Sequence, residues 1–436
     1  PTSVGNDHIS GLIFNLPVET QMPPSIKIGD VIQLFSVNEA IGLGITEFEQ
    51  EKNNFFYGIP YFHISEFFRM KPDGSLYVMF ADCSKNWNAI KTIQSVANGD
   101  IKQLGVWTSQ NIWSTASSSE DDYSLNLVSD INTVAEELAN EHRPLSVLLT
   151  GNASSADSTG AVKTIDLKKI PSCIGDFPRV TALLGQGRSD LLRQMQIANP
   201  KHSSIGCVGV ALGCVAEAKV CESIAWVNQF NLTSKHMSDI EFGFGNIELN
   251  DTGDDFISML QFEALSPAQI DEIEEKGYVF PIKYAGRANG TYFSKDRTCS
   301  DSDYRTIARN RTIDKSRRAI RNALLPYLNS PVLVNPKTGY LAEIEIKKYQ
   351  NVVKNILSTM EGNSEISGYS VLVSSNQNIL LTDTLKITYA IVPVGVTSKI
   401  IVEELNKSGV LPFEVVWKPT LITNELIRKT FNEANI

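Results

Sequence analysis

The sequence predicts a multidomain protein of mixed α/β and α+β class. A helix-covered α/β sheet domain is followed by a C-terminal domain of two helices on a sheet, with extended arms at both ends. Three observations predict this. Apolar strand-like runs alternate with helical stretches from about Ile26 to Lys283. Two long amphipathic patterns precede alternating strands between Thr312 and Glu404. Proline-punctuated segments stand at the start and again beyond Asn406. The resulting boundaries are 1–24 (arm), 25–277 (α/β domain), 278–405 (C-terminal domain) and 406–436 (arm). A length of 436 residues agrees, at ~150 residues per domain.

In chain order, Gly11-Leu-Ile-Phe-Asn-Leu16 makes one short strand, which Pro17, Pro23 and Pro24 separate from the rest of the chain. A lone strand is unstable in water, so it must pair elsewhere in the chain or on another molecule. Strands are expected at 30–36, 75–81, 101–107, 144–150 and 180–185. Helices are expected at 86–97, ending at Asn98-Gly99, and at 128–141. Cys207, Cys214 and Cys221 recur every seven residues, on one helical face with Ala211 and Ala218; this helix leads into a strand at Ser223–Val227. The stretches 114–124 and 152–160 are rich in Ser, Asn and Asp and read as loops. Ser266, Pro267 and Gly277 punctuate a helix over 266–276, and Asn289-Gly290 marks a two-residue hairpin turn.

In the last third, a helix over 312–328 puts Ile313, Ile320, Leu324 and Tyr327 on one face. A second over 342–360 aligns Ile346, Tyr349, Val353, Ile356, Leu357 and Met360, with Gly362 at its end. Strands at 368–374, 385–391 and 399–404 complete the layer, and a short helix is expected from Asn424.

Composition narrows the function. The chain carries 39 basic and 49 acidic residues, a net charge of −10, which excludes a generally basic nucleic-acid coat. Six scattered cysteines without a Cys-x-x-Cys pair read as reduced, buried residues; with five scattered histidines, they give no metal site. No dinucleotide fingerprint, phosphate loop or Gly-x-Ser-x-Gly elbow is present, so no catalytic, cofactor-binding or metal residue is assigned. The N-terminus lacks a signal peptide and no apolar run reaches ~20 residues, so a soluble protein made in the cytoplasm is expected.

The distinctive feature is local charge. From Arg305 to Arg321 there are seven cations against Asp314 alone, or +6 over 17 residues. Arg311, Lys315 and Arg318 project opposite the apolar face. Such a helix is either a solvated surface or a dock for something acidic, and with only Tyr304 nearby for stacking, an acidic protein fits better than nucleic acid.

The run Tyr284-Ala-Gly-Arg-Ala-Asn-Gly-Thr-Tyr-Phe-Ser-Lys-Asp-Arg-Thr298 resembles the strand–turn–strand before the C-terminal domain of contractile tail sheath proteins. So does the order after it: Arg309-Asn-Arg-Thr-Ile-Asp-Lys315, Leu325-Pro-Tyr-Leu-Asn-Ser-Pro331, Thr338-Gly339, Ile366–Val373 and Leu385–Pro393. The resemblance implies a non-enzymatic structural subunit of a bacteriophage tail or related contractile injection system. It would polymerise as stacked six-fold rings around an inner tube and contract to drive that tube through a target envelope. Implied partners are neighbouring sheath subunits, the inner tube protein, and baseplate and terminator or cap proteins, with no nucleic acid and no membrane insertion. By the same resemblance Arg311, Lys315 and Arg318 face the inner tube, and Leu12, Ile13, Phe14 and Leu16 add a strand to a neighbour's sheet. The alternatives are an α/β hydrolase-like enzyme, or a nucleic-acid-binding protein using the Arg305–Arg321 helix.

Overall fold

The computed structural model describes residues 6–16, 20–111, 114–115, 123–124, 126–152, 155–156, 162–163, 170–198, 205–233, 241–244, 266–284, 290–397, 400–404 and 413–417. The chain divides into two units, Pro1–Pro393 and Val394–Ile436.

The first unit is built on a six-stranded sheet. Its strands are β1 (Ser10–Asn15), β2 (Val31–Leu34), β3 (Leu76–Ala81), β4 (Gln103–Asn111), β5 (Ser146–Asn152) and β6 (Val180–Ala182). Their spatial order is β6-β5-β4-β1-β3-β2, all parallel except β2, which runs antiparallel to β3. The helices are α1 (Val37–Gly42), α2 (Phe55–Met70), α3 (Ala89–Val96), α4 (Asn126–Asn140), α5 (Asp190–Ala198), α6 (Val208–Glu217) and α7 (Pro267–Glu275). Leu12 and Phe14 enter one apolar core with α2 and α6, while Ile13 enters the other with α3 and α4. That is the two-sided burial expected of a parallel sheet flanked by helices.

The N-terminal strand is the main correction to the sequence reading. Leu12, Ile13, Phe14 and Leu16 are not offered to a neighbour. Strand β1 hydrogen-bonds to β3 on one side and β4 on the other, and all four side chains are buried. Both edges of the strand are therefore occupied within its own chain. The prolines that isolate this strand in sequence say nothing of partners more than sixty residues away.

Smaller differences have local causes. Asn98 and Gly99 adopt positive φ after α3, as the Asn-Gly signal requires. Ser223–Val227 makes turns instead of a strand. In the 281–293 hairpin Pro281 faces Phe293 and Ile282 faces Tyr292, so residues 283–291 separate the strands. A two-residue turn at Asn289-Gly290 cannot close that register; Asn289 itself lies outside the described residues. Most of 114–124 and 152–160, and the helix expected from Asn424, also lie outside them.

The remainder of the unit is α8 (Ile307–Leu324), α9 (Glu343–Gly362), β7 (Ile366–Val373) and β8 (Ile387–Pro393). Helix α8 begins five residues earlier than the apolar period suggests, because Thr306 caps it by accepting from the Arg309 amide. Ile320, Val353, Leu357, Met360 and Ile366 form the buried centre of this layer. After α9 the chain turns at Ser364, which takes positive φ, so Gly362 is not the turning residue.

In the second unit Ile400–Glu404 pairs antiparallel with Phe413–Trp417. The strand expected to complete the β7–β8 sheet pairs there instead. No helix among the described residues is long and apolar enough to cross a membrane.

Candidate functional site

The basic helix predicted from sequence is where the C-terminal layer joins the sheet, and three of its cations, Arg311, Lys315 and Arg318, are spent on that join. The first three turns of α8 bury Ile307, Ala308, Asn310, Arg311, Thr312, Asp314 and Ser316. Thr312 Oγ1 donates to the Val220 carbonyl at 3.3 Å, and Asn310 Nδ2 to the Pro178 carbonyl at 2.9 Å. Polar side chains sit in this interface because backbone carbonyls at the ends of α6 and β6 need donors.

Arg311 is fully enclosed. Its guanidinium donates to the carbonyls of Ala218 (3.1 Å), Lys219 (3.2 Å) and Asp7 (3.3 Å), and burial pulls its pKa down to about 10. Lys315 bridges the carboxylates of Asp7 (2.8 Å) and Glu365 (2.6 Å). Burial alone would lower the pKa of Lys315, but those two carboxylates outweigh it and hold the ammonium above its usual range. Arg318 reaches Asp7 at 3.5 Å, and burial lowers its pKa. Beside them Lys102 is pulled down to about 8, by burial first and then by the Arg318 charge. Asp7, Lys102, Val220, Arg311, Asp314 and Arg318 surround a crevice that leaves no space for a water-sized guest.

The expected inner-tube face of Arg311, Lys315 and Arg318 is thus corrected. These three residues clasp the segment before β1, the end of α6 and the start of β7, and none is free on an open surface. Desolvating a guanidinium as deeply as Arg311 is tolerable only where several acceptors surround it, and the protein's own carbonyls do so. The exposed cations of this region are Arg305, Arg317 and Arg321.

The sequence reading passed over three residues that hold the join. Arg179, at the start of β6, binds Asp314 (Nη1–Oδ2 2.5 Å) and Glu136 (3.2 Å). Asp7 gathers Lys315, Arg318 and Arg311. Asp296 accepts from the Ala308 amide at 3.1 Å in the first turn of α8, and burial raises its carboxyl to about 7. The signal for the first was visible: Asp314 is the single acid in a strongly basic run.

A second buried polar centre joins α2 to α6. His63 Nε2 donates to the Ile205 carbonyl (2.9 Å), and its Nδ1 accepts from the Gly209 amide (3.2 Å). Those partners require the neutral ring, and burial lowers its pKa to about 3. His63 therefore caps α6, whose own N-cap residue Cys207 makes no side-chain bond. Trp107 Nε1 donates to the same Ile205 carbonyl. Among the described residues no three His, Cys, Asp or Glu side chains gather as a metal site would need.

One open surface of the first unit lies on the β7–β8 pair. Its inner face carries Tyr369, Val371, Ile387, Tyr389 and Ile391 onto α8 and α9. Its outer face presents Leu372, 64% exposed, and Val392, 58% exposed. No further strand pairs with either outer edge among the described residues.

Comparison with known proteins places this architecture. No curated protein matches the chain. Two cryo-EM structures share its fold over nearly its whole length. One is the PVC sheath complex of an extracellular contractile injection system in its contracted state (TM-score 0.57, 14% identity, covering 92% of each chain). The other is the six-fold symmetrised baseplate of the anti-feeding prophage (TM-score 0.55, 13% identity, covering 92% of this chain and 94% of that one). At such identities the shared property is the fold, a mixed α/β architecture. The DUF2586 N-terminal domain matches residues 62–297 and the DUF2586 C-terminal domain residues 303–404. The first match alone spans more than half of the 436 residues, and the chain belongs to the DUF2586 family.

Proposed function

We propose that this protein is a structural subunit of a contractile tail sheath. It stacks in six-fold rings around an inner tube and shortens to drive that tube through a target envelope. The observation that carries the reading is the fold shared, over 92% of each chain, with a chain of the contracted PVC sheath complex.

Two features of the molecule support it. Residues Pro1–Pro393 form one compact unit, and the α8 clasp lies within it. A subunit that rotates past its neighbours without losing its own structure needs that rigidity. The β7–β8 pair has edges that no other described strand covers, and its outer face exposes Leu372 and Val392, so that it can accept strands from another chain. Strand addition in this scheme comes from the Ile400–Glu404 and Phe413–Trp417 pair of a neighbouring copy, since β1 is committed to its own sheet. Contact with an acidic inner tube falls to Arg317 and Arg321, which remain exposed. Other partners are baseplate and terminator or cap proteins, and assembly takes place in the bacterial cytoplasm. The nucleic-acid alternative loses support, because three of its basic residues are paired within the chain.

Sedimentation velocity over a range of concentrations tests the reading. Concentration-dependent growth into very large particles supports it. A single-copy species at every concentration, with or without a co-expressed tube protein, contradicts it.

A further inference from the structure

Four cations converge where α8 meets the segment before β1. Lys102, Arg311 and Arg318 line the crevice with Asp7, Val220 and Asp314, and Lys315 reaches the same Asp7 carboxylate. The other acids nearby are engaged elsewhere. Asp314 is bound to Arg179 (2.5 Å), Glu365 to Lys315 (2.6 Å) and Asp296 to the Ala308 amide (3.1 Å). Asp100 lies 3.6 Å from Lys102, with half of its side chain in solvent. Among the described residues, Asp7 is the only carboxylate within 4 Å of the Arg318 guanidinium.

Asp7 is held at two separate points. Its backbone carbonyl accepts from Gln103 Nε2 (3.2 Å) and from Arg311 (3.3 Å). Its carboxylate takes Lys315 on Oδ2 (2.8 Å) and Arg318 on Oδ1 (3.5 Å). The carboxylate can therefore be removed while the turn that carries it keeps its backbone contacts. It also reaches solvent, since the Asp7 side chain is 26% exposed, against 3% for Asp314.

We propose that Lys315 and Arg318, with Lys102 and Arg311 beside them, form a carboxylate-binding site that Asp7 fills as a tethered ligand, and that a small monocarboxylate takes the same position when the Asp7 carboxylate is absent. A planar carboxylate suits the site, because the ammonium and the guanidinium donate to separate oxygens. Cations this enclosed are costly without an anion among them. Their crowding is visible in Lys102, which burial and then the Arg318 charge pull down to about 8. Tethering keeps the Asp7 carboxylate at high local concentration, so the unsubstituted chain leaves a free acid nothing to fill. The clasp needs a carboxylate at this point and not this particular residue. The site stands on the clasp alone and does not depend on assembly of the chain.

The test measures urea midpoints of the full-length chain at fixed ionic strength, with sodium formate replacing sodium chloride in steps. Asp7→Ala removes the carboxylate and leaves a space of its size. Its midpoint should lie below that of the unsubstituted chain in chloride and rise saturably with formate, as it does for a ligand that binds only the folded state. The unsubstituted chain should show no saturable rise. Asp7→Asn, whose amide fills the space, should be destabilised and unresponsive. Adding Arg318→Gln to Asp7→Ala should abolish the response. If Asp7→Ala does not fold in chloride, refolding in the two salts gives the same reading, and recovery of folded protein in formate alone supports the site. No formate response in Asp7→Ala, or no folded protein in either salt, would overturn the proposal. So would a response that survives Arg318→Gln, or one as large in Asp7→Asn or the unsubstituted chain.

Discussion

Arg179 Nη1 and Asp314 Oδ2 lie 2.5 Å apart, with side chains only 4% and 3% exposed, and they join the start of β6 to the middle of α8. The one acid of the +6 segment is thereby paired with a cation outside that segment. Breaking such a pair on one side strands a buried charge, which costs about 3–5 kcal/mol. Arg179→Met or Asp314→Leu alone should lower unfolding stability by that amount in urea titrations. The double variant should recover a large part of the loss, whereas simply additive losses would mean the pair is not coupled.

Strand β1 makes the N-terminal segment part of the core. Phe14→Ala should cost about 3–5 kcal/mol by opening a cavity between α2 and the sheet. Removal of residues 1–16 should give insoluble or unfolded protein, because it takes the central strand and Asp7 together. Circular dichroism and proteolysis would show this. A truncated chain that stays folded and merely fails to assemble would restore β1 as an exchangeable arm.

The α2–α6 crossing is as close as backbone allows. A Cβ on Gly209 would fall against the carbonyl oxygen and Cα of His63, neither of which is a flexible side-chain end. Gly209→Ala should therefore destabilise by about 1–3 kcal/mol or more. It should also perturb the near-ultraviolet signal of Trp107, which shares the Ile205 carbonyl with His63.

Two buried groups give opposite pH dependences. His63 is held at about 3, so as pH falls below about 6.5 the unfolded chain takes up a proton the folded chain refuses, and stability is lost. Asp296 is raised to about 7, so as pH rises from about 4 to about 7 the folded chain keeps a proton the unfolded chain has released. That contribution to stability is therefore lost as pH rises. Between about 4 and 6.5 the two slopes oppose each other. Denaturation at a series of pH values should show Asp296→Asn gaining on wild type as pH rises through this window. His63→Gln should lose ground over the same range. Parallel curves for either variant would show that the group does not set the pH dependence.

The outer face of β7–β8 should matter for assembly and not for folding. Leu372→Glu and Val392→Glu place charges on exposed positions, where substitutions usually change stability within about ±0.5 kcal/mol. Both variants should remain folded and sediment as small species under conditions in which the parent grows. Undiminished growth would place the contact elsewhere.

Much of the architecture was legible, because strands such as Leu76–Ala81 and helices such as α9 carry their period in sequence. Strand β1 was legible as a strand and not as a central one. Its unbroken Leu-Ile-Phe run did carry the mark of burial on two faces. Helix α2 was hidden by an apolar character nearly all round and by Pro60 within it. The clasp was the least legible part. Arg311, Lys315 and Arg318 read as a solvated or docking face because their partners, Asp7, Glu365 and the carbonyls of Ala218 and Lys219, are distant in the chain. Helical spacing can place cations on one face, but only tertiary structure shows that the face is covered.

The central claim is assembly of this fold into a contractile sheath, and negative-stain electron microscopy of the purified full-length protein tests it most directly. The account predicts hollow tubes or rings with six-fold end views, which the Leu372→Glu and Val392→Glu variants lack. A field of monodisperse small particles at all concentrations, alone and with a co-expressed inner tube protein, would contradict it.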